Sequence, residues 1–144
     1  MMKSRQRSGF TIIEVLVVIA IFLVMIAALT PAVKMVRAHA LRRECLNHLR
    51  QVSLGIHAYA AGHNGSFPAN LSELHPQYAA NESAFDCPAS KTIGTKEKPD
   101  YAYKPGLTET SSPRETIVED IGGNHGKAGK NILRLDGSLD WVGR

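Results

Sequence analysis

Apolar and polar positions follow three different rhythms along this chain. From Phe10 to Leu29 there is almost no alternation. Val15–Leu29 is an unbroken apolar run, and only Thr11 and Glu14 interrupt the residues before it. Such a stretch matches the roughly 20 residues that a helix needs to cross a bilayer. Farther on, Leu41, Cys45, Leu49, Val52, Ile56 and Tyr59 recur at intervals of three and four, which traces one apolar stripe along a helix. The pattern predicts helix to about Ala61. His63-Asn64-Gly65-Ser66 reads as its stop, because Asn and Gly accept the left-handed conformation at helix ends. Beyond residue 130 the period falls to two. Residues 131–135 and 138–142 alternate, and Asp136-Gly137 between them predicts a two-residue hairpin turn. Tyr101–Tyr103 and Thr116–Glu119 are two more strand candidates, and Asn70–Leu74 reads as one helical turn capped by Asn70. The expected fold class is α+β. A long amino-terminal helix spans the membrane with its first half and packs its second half on a small antiparallel sheet of three or four strands.

Charge sharpens this division. The 144 residues carry a formal charge of +4. Lys3, Arg5 and Arg7 precede the apolar run, and Lys34, Arg37, Arg42, Arg43 and Arg50 follow it, whereas residues 51–144 are net acidic. The basic residues thus flank a lipid-sized segment, where they can meet head groups, and the distal part has no charge support for nucleic-acid binding. A wholly cytosolic enzyme is disfavoured. No Gly-x-Ser-x-Gly, phosphate-binding glycine loop or His-Glu metalloprotease pair occurs. The glycine-rich stretch 122–130 leads into a strand instead of a helix, so phosphate cradling is not expected of it. The chain is therefore read as a non-enzyme.

Residue Glu14 decides what kind of membrane segment this is. An ordinary secretory signal has a shorter apolar stretch followed directly by its cleavage site; here Lys34 and Arg37 separate the run from Ala38-His39-Ala40. A plain anchor accounts for the length but not for an acid, which costs on the order of 2.5–3.5 kcal/mol at a bilayer centre and usually has a partner. Glu14 lies one helical turn after Phe10, so a cut between Gly9 and Phe10 would supply that partner as a new amino group.

Lys3-Ser4-Arg5-Gln6-Arg7-Ser8-Gly9 followed by Phe10-Thr11-Ile12-Ile13-Glu14-Val15-Leu16 resembles the leader and helix start of type IV pilins and type II secretion pseudopilins. The resemblance implies a leader at 1–9, an assembly and transmembrane helix at 10–33, and a periplasmic head at 34–144. It also implies cleavage by a prepilin peptidase after Gly9, N-methylation of Phe10, and pairing of Glu14 with the amino terminus of an adjoining subunit. The implied partners are the peptidase, copies of this chain and other pilin-like subunits, and an inner-membrane assembly platform. The implied location is the bacterial inner membrane, single-pass, and then a filament. Pro31 falls where many members have proline, and a kink or local melting is expected there. The runner-up from another class is a monomeric membrane-anchored periplasmic binding domain with a metal requirement.

The distal part is similar to one subgroup, in Cys45-Leu46-Asn47-His48-Leu49-Arg50-Gln51, Tyr59, Phe67-Pro68, Phe85-Asp86-Cys87-Pro88 and a closing His125…Asp136-Gly137. Ten residues separate His125 from Asp136, one more than in that signature. In an oxidising periplasm Cys45 and Cys87 are expected to form a disulfide, contributing on the order of 3–4 kcal/mol in the chain-entropy picture; the alternative is two buried thiols. No cofactor is expected. Calcium enters only because related pseudopilin heads hold it with loop oxygens, and Glu119, Asp120, His125 and Asp136 are the weak candidates here. Three carboxylates fall short of the six to eight oxygens that calcium takes.

Overall fold

The computed structural model of the chain describes residues 10–143. Seven elements follow one another: α1 (Ile12–Gly62), two short 3-10 turns (Leu71–Leu74 and Glu82–Phe85), and strands β1 (Tyr101–Tyr103), β2 (Thr116–Asp120), β3 (Gly129–Arg134) and β4 (Leu139–Gly143). The residues group into two compact units, one up to Arg37 and one from Ala38.

The first unit is helix alone. Every large apolar side chain from Phe10 to Val36 is exposed, with Phe10 and Ile12 at 78% and 83%. The helix begins on an N-cap: Thr11 Oγ1 accepts a hydrogen bond from the Glu14 amide at 3.4 Å, and Glu14 stands at the third helical position. The local melting expected at Pro31 does not occur. Its fixed φ suits a helix, and α1 runs through it unbroken.

The second unit holds the core. The stripe read from the sequence is the buried face of α1: Cys45, Leu49, Val52 and Ile56 are at most 1% exposed, whereas Leu41 and Tyr59 lie at its partly covered ends. Gly55 sits on the same face because a Cβ there would come within 3.2 Å of the Tyr78 carbonyl oxygen. The helix ends as expected. Asn64 and Gly65 take positive φ, and the Gly65 amide bonds back to the Ala60 carbonyl at 2.9 Å. Asn70 precedes its 3-10 turn without making a side-chain cap.

The sheet is a four-stranded antiparallel meander in the order β1-β2-β3-β4. A register shift between Thr116 and Val118 explains why two consecutive residues, Ile117 and Val118, are both buried in β2. After that shift, alternation turns Val118 and Asp120 to the same side. The β3–β4 connection differs from the two-residue turn expected. Arg134 accepts from Gly137 and donates to the Ser138 carbonyl, which encloses a three-residue loop, and only Gly137 has positive φ. That is a type I turn followed by a left-handed glycine. The extra residue lets Leu135 turn inward, where it is 5% exposed.

Candidate functional site

At the amino-terminal end, Gly9 lies outside the described residues. Phe10 and Thr11 precede the helix, and Glu14 is exposed in its first turn. An acid there is favoured by the positive end of the helix dipole, so Glu14 starts the helix whatever else it does. The T-x-x-E spacing of Thr11 and Glu14 signals this role in the sequence. By length and composition α1 can cross a membrane, and its most apolar window has no residue buried.

In the second unit a different set of residues converges. Cys45 comes from α1, Cys87 from the segment after the second 3-10 turn, Asp120 from the end of β2, and His125 from the β2–β3 loop. One donor atom from each lies within 4.8 Å of all the others. The sheet builds the floor. Tyr101 pairs with Asp120, Asn131 pairs with Trp141, and continuing the β2–β3 register brings Asp120 opposite Asn131. These four residues form one row across all four strands.

Hydrogen bonds hold the row in place. Asp120 Oδ2 accepts from the Asn131 amide at 2.7 Å and from Asn131 Nδ2 at 2.9 Å. Cys45 Sγ lies 3.2 Å from Asp120 Oδ1, 3.5 Å from the Tyr101 hydroxyl and 3.5 Å from Asn131 Nδ2. His125 Nε2 is 3.3 Å from Asp120 Oδ2, 3.6 Å from Cys87 Sγ and 3.2 Å from Asn131 Nδ2. Its ring meets the Trp141 indole edge-on at 5.5 Å, and the Arg42 guanidinium lies over that indole at 4.0 Å. Arg42 is thus a packing residue, not part of the solvated basic face that Arg43 and Arg50 do form.

Charge in this pocket is shared. The hydrogen bond to Asp120, followed by that to Cys87, raises the His125 pKa to about 9. A hydrogen bond from Cys45 pushes the Cys87 thiol down against the cost of burial, with His125 and the Ala89 amide adding to the effect. Cys45 moves up, first because its proton is held by Cys87 and then because of burial and the nearby Asp120 charge. Burial raises Tyr101, and the Cys45 sulfur adds to it. The pocket therefore keeps the protons of His125, Cys45 and Tyr101 and gives one up more readily at Cys87.

The structure corrects two expectations about this region. Cys45 and Cys87 are free thiols, not a bridge, and each sulfur is engaged by its polar neighbours. The four calcium candidates do not converge. Glu119 points the other way along β2 and pairs with Lys130 at 2.6 Å. Asp136 stays in the exposed hairpin turn, where the Ser138 hydroxyl and amide hold its carboxyl below the usual range. Only Asp120 and His125 meet, and they meet sulfur. Tyr101, Asn131 and Trp141 went unread as site residues. Their signal was a polar side chain at an inward position of a strand, visible only once the register is known.

Residues 4–30 match the family described as the prokaryotic N-terminal methylation motif. No curated protein and no solved structure matches the chain. The match covers Arg5 and Arg7, the Gly9-Phe10 junction, Glu14 and the whole apolar run Val15–Leu29. A long apolar helix opening on that motif, followed in sequence by a four-stranded antiparallel sheet, is a pilin-like α+β arrangement, and the chain carries the prepilin-type signal of type IV pilins and pseudopilins.

Proposed function

We propose that the chain is a structural subunit of a type IV pilus-like filament or a type II secretion pseudopilus. A prepilin peptidase cleaves between Gly9 and Phe10 and methylates the Phe10 amino group. The mature chain waits in the inner membrane with its head in the periplasm, then enters a filament through α1. The observation that carries this reading is the methylation motif at 4–30, on a chain whose large apolar side chains from Phe10 to Val36 are all exposed. Such a surface is costly in water, at about 25 cal/mol per Å²; lipid covers it before assembly and neighbouring helices cover it afterwards. Glu14 in the first turn pairs with the methylated amino group of an adjoining subunit, which removes two charges from an apolar bundle. The role is structural, and no substrate turnover is assigned.

Intact-mass and peptide mass spectrometry of the membrane-extracted protein tests the processing step. The expected species begins with N-methylated Phe10; a chain retaining residues 1–9 refutes it. Glu14→Ala tests assembly separately. The variant is expected to be processed and to remain in the membrane, yet to be missing from sheared filaments or crosslinked oligomers. Normal incorporation of Glu14→Ala would remove Glu14 as the assembly contact, and a processed wild-type chain found in neither filaments nor oligomers would favour the monomeric anchored domain.

A further inference from the structure

We infer that Cys45, Cys87, Asp120 and His125 form a tetrahedral binding site for a single zinc ion that staples the head together. This inference stands apart from the filament reading, since all four residues belong to the second unit.

Geometry is the first argument. Zinc binds sulfur at about 2.3 Å and imidazole nitrogen or carboxylate oxygen at about 2.0–2.2 Å. At tetrahedral angles those bond lengths set donor-to-donor edges of about 3.6 Å for sulfur to nitrogen, about 3.4 Å for nitrogen to oxygen and about 3.6 Å for sulfur to oxygen. The structure has Cys87 Sγ to His125 Nε2 at 3.6 Å, His125 Nε2 to Asp120 Oδ2 at 3.3 Å, and Cys45 Sγ to Asp120 Oδ1 at 3.2 Å. His125 thus sits at ligand spacing from both Cys87 and Asp120, Cys45 lies somewhat closer to the other oxygen of the same carboxylate, and one donor atom from each of the four residues falls within 4.8 Å of the rest.

Chemistry is the second. Two sulfurs, one imidazole and one carboxylate suit zinc, whereas calcium and magnesium require shells of oxygen. Cys45, Cys87 and Asp120 are at most 2% exposed, and the His125 side chain is 6% exposed. Four buried protein ligands leave no open position for water, which makes the site structural and not catalytic. The surrounding groups also behave as an outer shell. Asn131 fixes Asp120 Oδ2 through two hydrogen bonds, Tyr101 and Asn131 reach Cys45 Sγ, and the Ala89 amide bonds to Cys87.

The third argument is a shortage of hydrogens. Asn131 Nδ2 lies within reach of three acceptors, Asp120 Oδ2, Cys45 Sγ and His125 Nε2, but has only two hydrogens to give. Protonating His125 at Nε2 does not repair this, because two donors would then face each other across 3.2 Å. A cation held by Cys45, Asp120 and His125 satisfies all three acceptors at once. Binding releases the protons of both thiols, and of any imidazolium present, to solvent. Two thiolates, one carboxylate, a neutral imidazole and Zn²⁺ leave a net charge of −1.

The test uses the full-length chain, extracted in detergent under reducing conditions without chelator. Elemental analysis is expected to find one zinc per chain. The same zinc should be released when a mercurial reagent titrates two thiols per chain. Adding cobalt chloride to chelator-stripped protein should produce thiolate-to-cobalt charge-transfer bands and the intense visible bands of a tetrahedral site. His125→Ala should lose those bands, and the wild-type spectrum carries the test if that variant does not fold. Zinc chloride should raise the melting temperature of the stripped protein. The inference is overturned if a separate sample, extracted without reductant and then denatured with chelator, has no alkylatable cysteine, which would mean a Cys45–Cys87 disulfide. It is equally overturned if both thiols are free and neither zinc nor cobalt binds after reconstitution.

Discussion

Gly94 provides a direct test of how tightly the segment carrying Cys87 is packed. A Cβ on residue 94 would lie 2.2 Å from the Phe85 carbonyl oxygen, 2.8 Å from Asp86 Cα and 2.9 Å from the Phe85 carbonyl carbon, against 3.4–4 Å for ordinary contact. All three atoms are backbone, so no side chain can swing aside. The Phe85 carbonyl must retreat by more than about 1 Å, well beyond the few tenths of an ångström that packed interiors yield. That carbonyl accepts the Asp100 amide at 3.0 Å, Asp100 Oδ2 accepts the Cys87 amide at 3.2 Å, and the Gly94 amide itself donates to Asp86 Oδ1 at 2.8 Å. Overpacking costs about 1–3 kcal/mol, and a strained buried hydrogen bond adds about 1 kcal/mol. We therefore expect Gly94→Ala to destabilise the head by about 2–4 kcal/mol. At about 4–8 °C per kcal/mol for a domain near this size, Tm falls by roughly 8–30 °C. Thermal melts of the full chain in detergent, followed by near-UV circular dichroism, read this directly. Gly122→Ala is the control, since nothing lies within 4 Å of its Cβ. It should be neutral or slightly stabilising, because alanine narrows the unfolded ensemble. If Gly94→Ala melted within 2 °C of the wild type, the packing argument for the 85–100 segment would be wrong.

The helix face can be tested by a pair of truncations in urea. Leu49→Ala, at a fully buried position, should cost about 2–5 kcal/mol, whereas Leu54→Ala, on a side chain 72% exposed, should stay within about 0.5 kcal/mol; equal losses would place the buried face elsewhere. Tyr103 gives a pH dependence. Its hydroxyl donates to the Pro68 carbonyl at 2.7 Å, and burial, then the Glu73 charge, push its pKa up to about 12. The folded chain keeps that proton after the unfolded chain has lost it near pH 10, so stability falls as pH rises from about 10 to 12. Tyr103→Phe should flatten part of that decline in pH-resolved melts, and an unchanged slope would remove Tyr103 as a cause. Thr11→Ala, which deletes the hydroxyl that caps the Glu14 amide, should reduce helicity at the start of α1 by an amount equivalent to about 1 kcal/mol. Amide hydrogen exchange at residues 12–15 would detect it.

Periodicity was enough for the second part of α1 because one face of it is buried and the opposite face is not. The intervals between Cys45, Leu49, Val52 and Ile56 could describe only one side of a helix, and that side is inside. The membrane-sized run needed only composition. The β3–β4 connection was less legible, since Asp-Gly fits both a two-residue turn and the end of a three-residue one. What chose between them was the burial of Leu135, a tertiary fact. The Cys45–Cys87–Asp120–His125 cluster was hidden for a similar reason. Its members lie on four separate stretches and show no short-range spacing, and only the β2 shift aims Asp120 inward. Reading Glu119 and Asp120 together as loop ligands missed that adjacent strand residues face opposite sides.

The row Tyr101, Asp120, Asn131, Trp141 also governs how the strands find one another. Apolar side chains alone specify the β2–β3 alignment weakly, because Ile132 and Leu133 are both buried and either could serve as the inward residue. A slip of one residue would exchange the faces of β3. Lys130 or Ile132 would then replace Asn131 beside Asp120, and the buried carboxylate would lose the side-chain amide donor that Asn131 supplies. Misaligned pairings are penalised by that buried charge, so the polar row acts as an indexing mark for the meander and leaves the aligned sheet as the one arrangement the head can settle into.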